Sequence, residues 1–132
     1  YYEDLPLGVT AMFSKTITET DITLFAGVSG DTNPMHLDAE YAATTRFKSR
    51  IAHGMLTASL ISTIVGTRLP GPGCIYVGQT LKFKAPVRIG DTVVARAEVT
   101  GHVPERKFVI LRTQCLVGAT VVLEPDRPLP LT

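Results

Sequence analysis

The stretch GVSGDTNPMHLD, residues 27–38, brings an acid, an amide, a proline and an imidazole within six residues: Asp31, Asn33, Pro34 and His36. The chemistry open to such a set is proton transfer. A carboxylate and an imidazole aimed at one point can act together as general base and general acid. Asp31 and His36 are five residues apart, a spacing that does not put two side chains on one face of a straight helix or strand. Pro34 disfavours helical backbone at Asn33. The segment is therefore expected as an irregular loop that folds back and turns both side chains to one place. A plainer reading stays open at this level, in which Asp31 and Asn33 form a turn and His36 caps a neighbour. Metal ligation by Asp31, His36 and His53 is not expected, because no second carboxylate or imidazole stands nearby at ligand spacing.

Gly54 opens a long apolar segment, residues 54–70. If that segment is a helix, its first N–H groups are free and the positive end of its dipole points outward. Glycine there lets a ligand approach the backbone, although a glycine that merely eases entry into the helix fits as well. His53 is read as a residue that holds the helix start, with support of the acid–base pair as the alternative. Ser62 lies two turns on, where a buried serine commonly bonds its own helix backbone. His102 falls in a strand or turn and receives no role.

The elements that must position these residues are legible from periodicity. Residues 9–17 suit a first strand. Thr18 followed by Asp21 resembles a helix N-cap, with Thr20 as the alternative, and Ile22, Phe25, Ala26 and Ser29 give a helical stripe that stops at Gly30. A short helix is expected over residues 39–45. Met55, Leu56, Ala58, Leu60, Ile61, Ile64 and Val65 cover most of a helical circumference, which predicts a buried helix from Gly54 to the Pro-Gly run at 70–73. From Cys74 the period changes to that of strands, over residues 74–87, 92–103, 107–118 and 119–124, with turns at 89–91, 104–106 and 118–120. Short connections predict a meander of four consecutive strands. The Pro-rich tail, residues 125–132, is expected to be extended or frayed. The class is α+β, a single domain over residues 1–132, with an antiparallel sheet curled around one buried helix. An open sheet edge predicts a homodimer.

Composition narrows the function classes. Lys and Arg total 13 against 12 Asp and Glu, so the concentrated basic face of a nucleic-acid binder is not expected. With 45% apolar residues the chain can build a core without metal or disulfide staples. Cys74 and Cys115 are expected as buried free thiols in a reducing compartment. No apolar run of membrane-spanning length and no signal peptide are visible, so a cytoplasmic protein is expected.

The segment FAGVSGDTNPMH, residues 25–36, resembles the signature of the MaoC-like, R-specific enoyl-CoA hydratases, or hydratase 2. IAHGML at 51–56, the helix continuing to Ser62, and LKFKAPVRIGDTV at 81–93 are similar to further family features. The resemblance spans about residues 5–125, with Met35 where a branched aliphatic is usual. It implies the hot-dog fold, a dimer, and addition of water to a trans-2-enoyl thioester of coenzyme A or a carrier protein. The product would be the R-3-hydroxyacyl thioester, which ties the chain to fatty acid or polyhydroxyalkanoate metabolism. It implies Asp31 and His36 as the catalytic pair, Gly54 as the oxyanion donor, and Ser62 near the pair. Asn33 is read as shaping the loop. No cofactor is implied, since coenzyme A belongs to the substrate.

Two other functions compete. A hot-dog thioesterase would also hold a thioester but would hydrolyse its C–S bond. A non-catalytic acyl-thioester-binding subunit would need no intact acid–base pair, and Asp31 with His36 argues against it. Arg46, Lys48, Arg50, Lys82, Lys84 and Arg88 are candidates for the phosphates of coenzyme A or for simple solvation.

Overall fold

The computed structural model describes residues 6–69, 78–103, 105, 108–125 and 129–131. Strand β1, Thr10–Thr16, runs into helix α1, Glu19–Ser29, through a full capping box. The Thr18 hydroxyl accepts from the Asp21 N–H at 3.1 Å, and the Asp21 carboxylate accepts from the Thr18 N–H at 2.9 Å. Gly30 ends α1 at a φ of 80°, left-handed backbone that costs glycine little. Two short helices follow, α2 over Pro34–Leu37 and α3 over Ala39–Ala43. Helix α4, Gly54–Thr67, is the longest. The remaining strands are β2, Lys82–Phe83; β3, Thr92–Val103; β4, Phe108–Val117; β5, Thr120–Glu124; and β6, Leu129–Leu131.

One antiparallel sheet carries the strands in the order β1-β3-β4-β5-β2, with β6 added beside β4. Helix α4 lies across β3, β1 and β4. Alternate residues of β3, Val93, Ala95, Ala97 and Val99, point inward and are buried, as the strand period requires. They meet Ile61 and Ile64 of α4, both fully buried, together with Leu111 and Leu123. Burial of each valine, leucine or isoleucine side chain here contributes about 1.5–3 kcal/mol. This is the α+β, hot-dog arrangement of a sheet wrapped around a helix. Cys115 also lies in this core, and burial pushes its thiol up to about 12, which leaves it unreactive at neutral pH.

Two expectations need correction. The meander is three strands, β3-β4-β5. The preceding segment contributes β2, which pairs with β5 instead of β3, so it crosses the sheet. The tail is extended over residues 129–131, as expected, where it pairs with residues 109–111 of β4. Helix α4 is not buried all round: Met55, Ser59, Ser62 and Gly66 form an exposed stripe at spacings of four, three and four. The small residues that interrupt its apolar pattern mark that open side. Cys74 and the start of the expected strand at 74–77 lie outside the described residues.

Candidate active site

The segment that follows α1 is tied by side chains to its own backbone. The Ser29 hydroxyl accepts from the Asp31 N–H at 3.1 Å, and Asp31 Oδ1 accepts from the Asn33 N–H at 3.2 Å. Asn33 Oδ1 then accepts from the Met35 N–H at 3.0 Å, capping α2. Pro34 occupies the first helical position, where a missing N–H costs nothing. The expected irregular loop is thus shorter than the sequence implies. It bends over residues 31–33, and His36 stands on a single helical turn that Pro34 starts.

Residues 47–53 run alongside and fix that turn. His36 Nδ1 donates to the Ile51 carbonyl at 2.8 Å, so Nε2 is the ring atom left for a ligand. Arg50 Nε donates to the His36 carbonyl at 2.7 Å, and its Nη1 meets Glu19 at 2.9 Å, so one guanidinium ties α2 to α1. Arg88 donates to the Phe47 carbonyl and the Ser49 hydroxyl at 2.7 and 3.0 Å.

His53 closes the arrangement from behind. Its Nε2 donates to the Asp31 main-chain carbonyl at 2.9 Å, and its ring stacks on His36 with centroids 3.9 Å apart and planes 24° apart. One carboxylate oxygen of Asp31 and one ring nitrogen of each histidine lie within 4.8 Å of one another. The stack bears on a metal reading of this trio. Imidazole lone pairs lie in the ring plane, so two stacked rings send them side by side and not toward one tetrahedral ion.

His53 also occupies the N-cap position of α4, yet its side chain makes no cap hydrogen bond. The expectation that it holds the helix start is therefore corrected: it holds the Asp31 segment. The His53 carbonyl accepts from Leu56 and Thr57, while the N–H groups of Gly54 and Met55 have no partner among the described residues. Those two amides and the helix dipole make a place for developing negative charge. Phe83 packs on Gly54 so closely that a Cβ there would come within 2.6 Å of the ring.

A pocket of about 400 Å³ opens at this point, lined in part by His36, Gly54, Met55, Thr57, Phe83 and Arg46. His36 is the member of the pair that lines it. Asp31 is exposed beside it, and His53 is buried behind. Ser62 stands apart: it is exposed on α4, eight residues past Gly54 and thus roughly 12 Å along the axis. Of the six basic candidates, Arg50 and Arg88 are occupied in holding backbone. Lys84 pairs with Glu124 at 3.5 Å, Arg46 lies over the Phe47 ring, and Lys48 and Lys82 are exposed.

The family model of the MaoC like domain matches residues 8–119. The chain belongs to the MaoC-like domain family. An (R)-specific enoyl-CoA hydratase of Rhodospirillum rubrum is 64% identical over 126 residues, covering 96% of this chain and 88% of that protein. A 3-hydroxybutyryl-CoA dehydratase of Methylorubrum extorquens is 52% identical over 126 residues, covering 96% and 80%. Among solved structures, an (R)-hydratase of A. caviae involved in PHA biosynthesis superposes with a TM-score of 0.93 at 40% identity, covering 98% of each chain. Within this MaoC-like chain, the sequence reading missed the Arg50 clamp, the histidine stack and the Phe83 cover. Each joins residues far apart in sequence, and a single chain carries no local signal for such pairs.

Proposed function

We propose that this chain is a hydro-lyase that adds water across trans-2-enoyl-CoA to give R-3-hydroxyacyl-CoA, and runs the dehydration in reverse. The observation that carries the chemistry is the closeness of Asp31 and His36 beside the free amides of α4. Two hydrogen bonds of about 2.8 Å can span up to ~5.6 Å. An Asp31 carboxylate oxygen and one ring nitrogen of His36 lie within 4.8 Å, so the two side chains are close enough to share one water. The Asp31 carboxylate and His36 Nε2 both accept, so each takes one O–H of that water and its lone pair is turned outward to C3.

As the oxygen bonds to C3, the pair takes a proton from the water. The C2=C3 electrons move toward the thioester, and its oxygen gains charge. The Gly54 and Met55 N–H groups stabilise that charge in place. The pair then returns a proton to C2, so the net change is one water added and the protein ends as it began. This acid–base cycle requires no cofactor, and coenzyme A is carried by the substrate. Asn33 serves by capping α2.

A second copy of the chain is part of this reading. The exposed stripe of α4 and the exposed Phe83 give it a surface to cover, and Ser62 can support the site through that contact. No helix among the described residues is long and apolar enough to cross a membrane. The buried free thiol of Cys115 suits a reducing compartment such as the cytoplasm.

The test is to mix purified protein with crotonyl-CoA and follow enoyl absorbance and free thiol separately. Loss of the enoyl signal without thiol release is expected. Thiol release in step with it would identify a thioesterase instead.

A further inference from the structure

We propose that His53 is a positioning residue that fixes the distance and angle between the Asp31 carboxylate and the His36 ring. The inference rests on the hydratase reading above and deepens it. Two independent contacts carry it, one to each member of the pair. The His53 Nε2–H reaches the Asp31 carbonyl at 2.9 Å, across a gap of 22 residues. The face of the same ring lies 3.9 Å from the His36 ring. His53 is 2% exposed, and the Phe25 ring packs on it at 4.9 Å. A ring held on several sides cannot shift without shifting both partners.

The alternative role, a helix cap, is answered by the geometry. The residue stands at the N-cap of α4, where Ser, Thr, Asp or Asn usually bonds the first amides. Its side chain makes no such bond and is spent on the Asp31 segment. The choice of histidine over a capping residue has two effects. It leaves the Met55 amide, which a capping side chain can take, free beside that of Gly54 for the thioester oxygen, and it ties the Asp31 backbone to the start of the same helix. Acid–base pair and charge-stabilising amides therefore share one mount. The other ring nitrogen, Nδ1, meets no partner among the described residues, so the polar contribution of His53 is the single bond from Nε2.

A misplacement of about 1 Å can cost on the order of 100-fold in rate. His53→Leu should therefore lower kcat by about that factor with KM nearly unchanged, because His53 does not line the pocket. His53→Gln places an amide N–H near the position of Nε2 and should recover most of the loss. His53→Asn is too short to reach the Asp31 carbonyl and should resemble the leucine variant. In a background of His36→Gln the added His53→Leu should cost little more, since the residue acts through the pair. The account is overturned if His53→Leu keeps full kcat. It is also overturned if the Gln and Asn variants are equally impaired, or if KM rises in step with the loss. Should the leucine variant not fold, the contrast between Gln and Asn decides alone. Failure of the hydratase reading is separate: it would show as no hydration by the unaltered protein, or as full activity in Asp31→Asn and His36→Gln.

Discussion

His36 and Ile51 are joined by a 2.8 Å hydrogen bond from the ring Nδ1 to the main-chain carbonyl. A carbonyl can only accept, so this bond sets which nitrogen carries the hydrogen. It leaves Nε2 as an acceptor for water, and it turns the ring toward the pocket that His36 lines.

Both members of the pair are then needed for rate. Asp31→Asn removes the carboxylate, and His36→Gln removes the imidazole. Each should lower kcat by the ~10²–10⁴-fold typical of a lost general acid or base, with the fold kept. Steady-state kinetics with crotonyl-CoA, alongside thermal unfolding, checks this. Full activity in either variant would remove that residue from the mechanism.

Gly54 separates stability from activity. The Cβ of Gly54→Ala would meet the Phe83 ring at 2.6 Å, and that ring is 53% exposed, so it can swing aside. Stability should change by less than about 1 kcal/mol, within the glycine-to-alanine range of helix propensity. Turnover should fall at least tenfold, because the methyl crowds the amides at the start of α4. An Ala variant with unchanged turnover would place charge stabilisation elsewhere.

How far the sequence carried is clearest at Thr18 and Pro34. The Thr18–Asp21 spacing predicts a helix start, and the full capping box stands there. Residues that act on their own neighbours leave such local signs. Pro34 keeps Asn33 out of the helix, as expected, but the irregular stretch ends there, because a proline excluded from helix interiors is suited to a first position and begins a helical turn itself. The β-branched run over residues 92–103 predicts a strand, and β3 stands there, but a strand period does not say which strand lies beside it. The placement of β2 against β5 was for that reason not legible. His53 shows the same limit at the site: its neighbour Gly54 suggests the helix start, while its hydrogen bond goes to Asp31.

The capping box also carries a pH dependence. Burial pushes the Asp21 carboxyl upward, but hydrogen bonds from Lys15 and from the Thr18 backbone and hydroxyl outweigh it and hold it below its ordinary 3.8. A carboxyl depressed on folding contributes stability that is present above its unfolded value and is lost as pH falls through its folded value. Stability should therefore decline below about pH 4. In Asp21→Asn this part of the decline should be absent. Urea unfolding of both proteins between pH 2 and pH 7 reads the difference. Parallel curves would show that Asp21 does not contribute.

The exposed stripe of α4 predicts association. Met55 is 56% exposed on that face, with Ser59, Ser62 and Gly66 in line behind it. Light scattering should give a dimer or a multiple of one. Ser59→Arg, which sets a bulky charge on the stripe, should dissociate it and lower activity together. A stable monomer with full turnover would count against a site completed by a second copy.

The central claim is that one water, held by Asp31 and His36, attacks one face of an enoyl group whose thioester oxygen is fixed at Gly54. Product stereochemistry tests this most directly. Crotonyl-CoA is hydrated by the purified protein, and the product is offered separately to R-specific and S-specific 3-hydroxyacyl-CoA dehydrogenases. The account predicts a response from the R-specific enzyme alone. A response from the S-specific enzyme, or equal responses from both, would contradict the assigned geometry even with hydration confirmed.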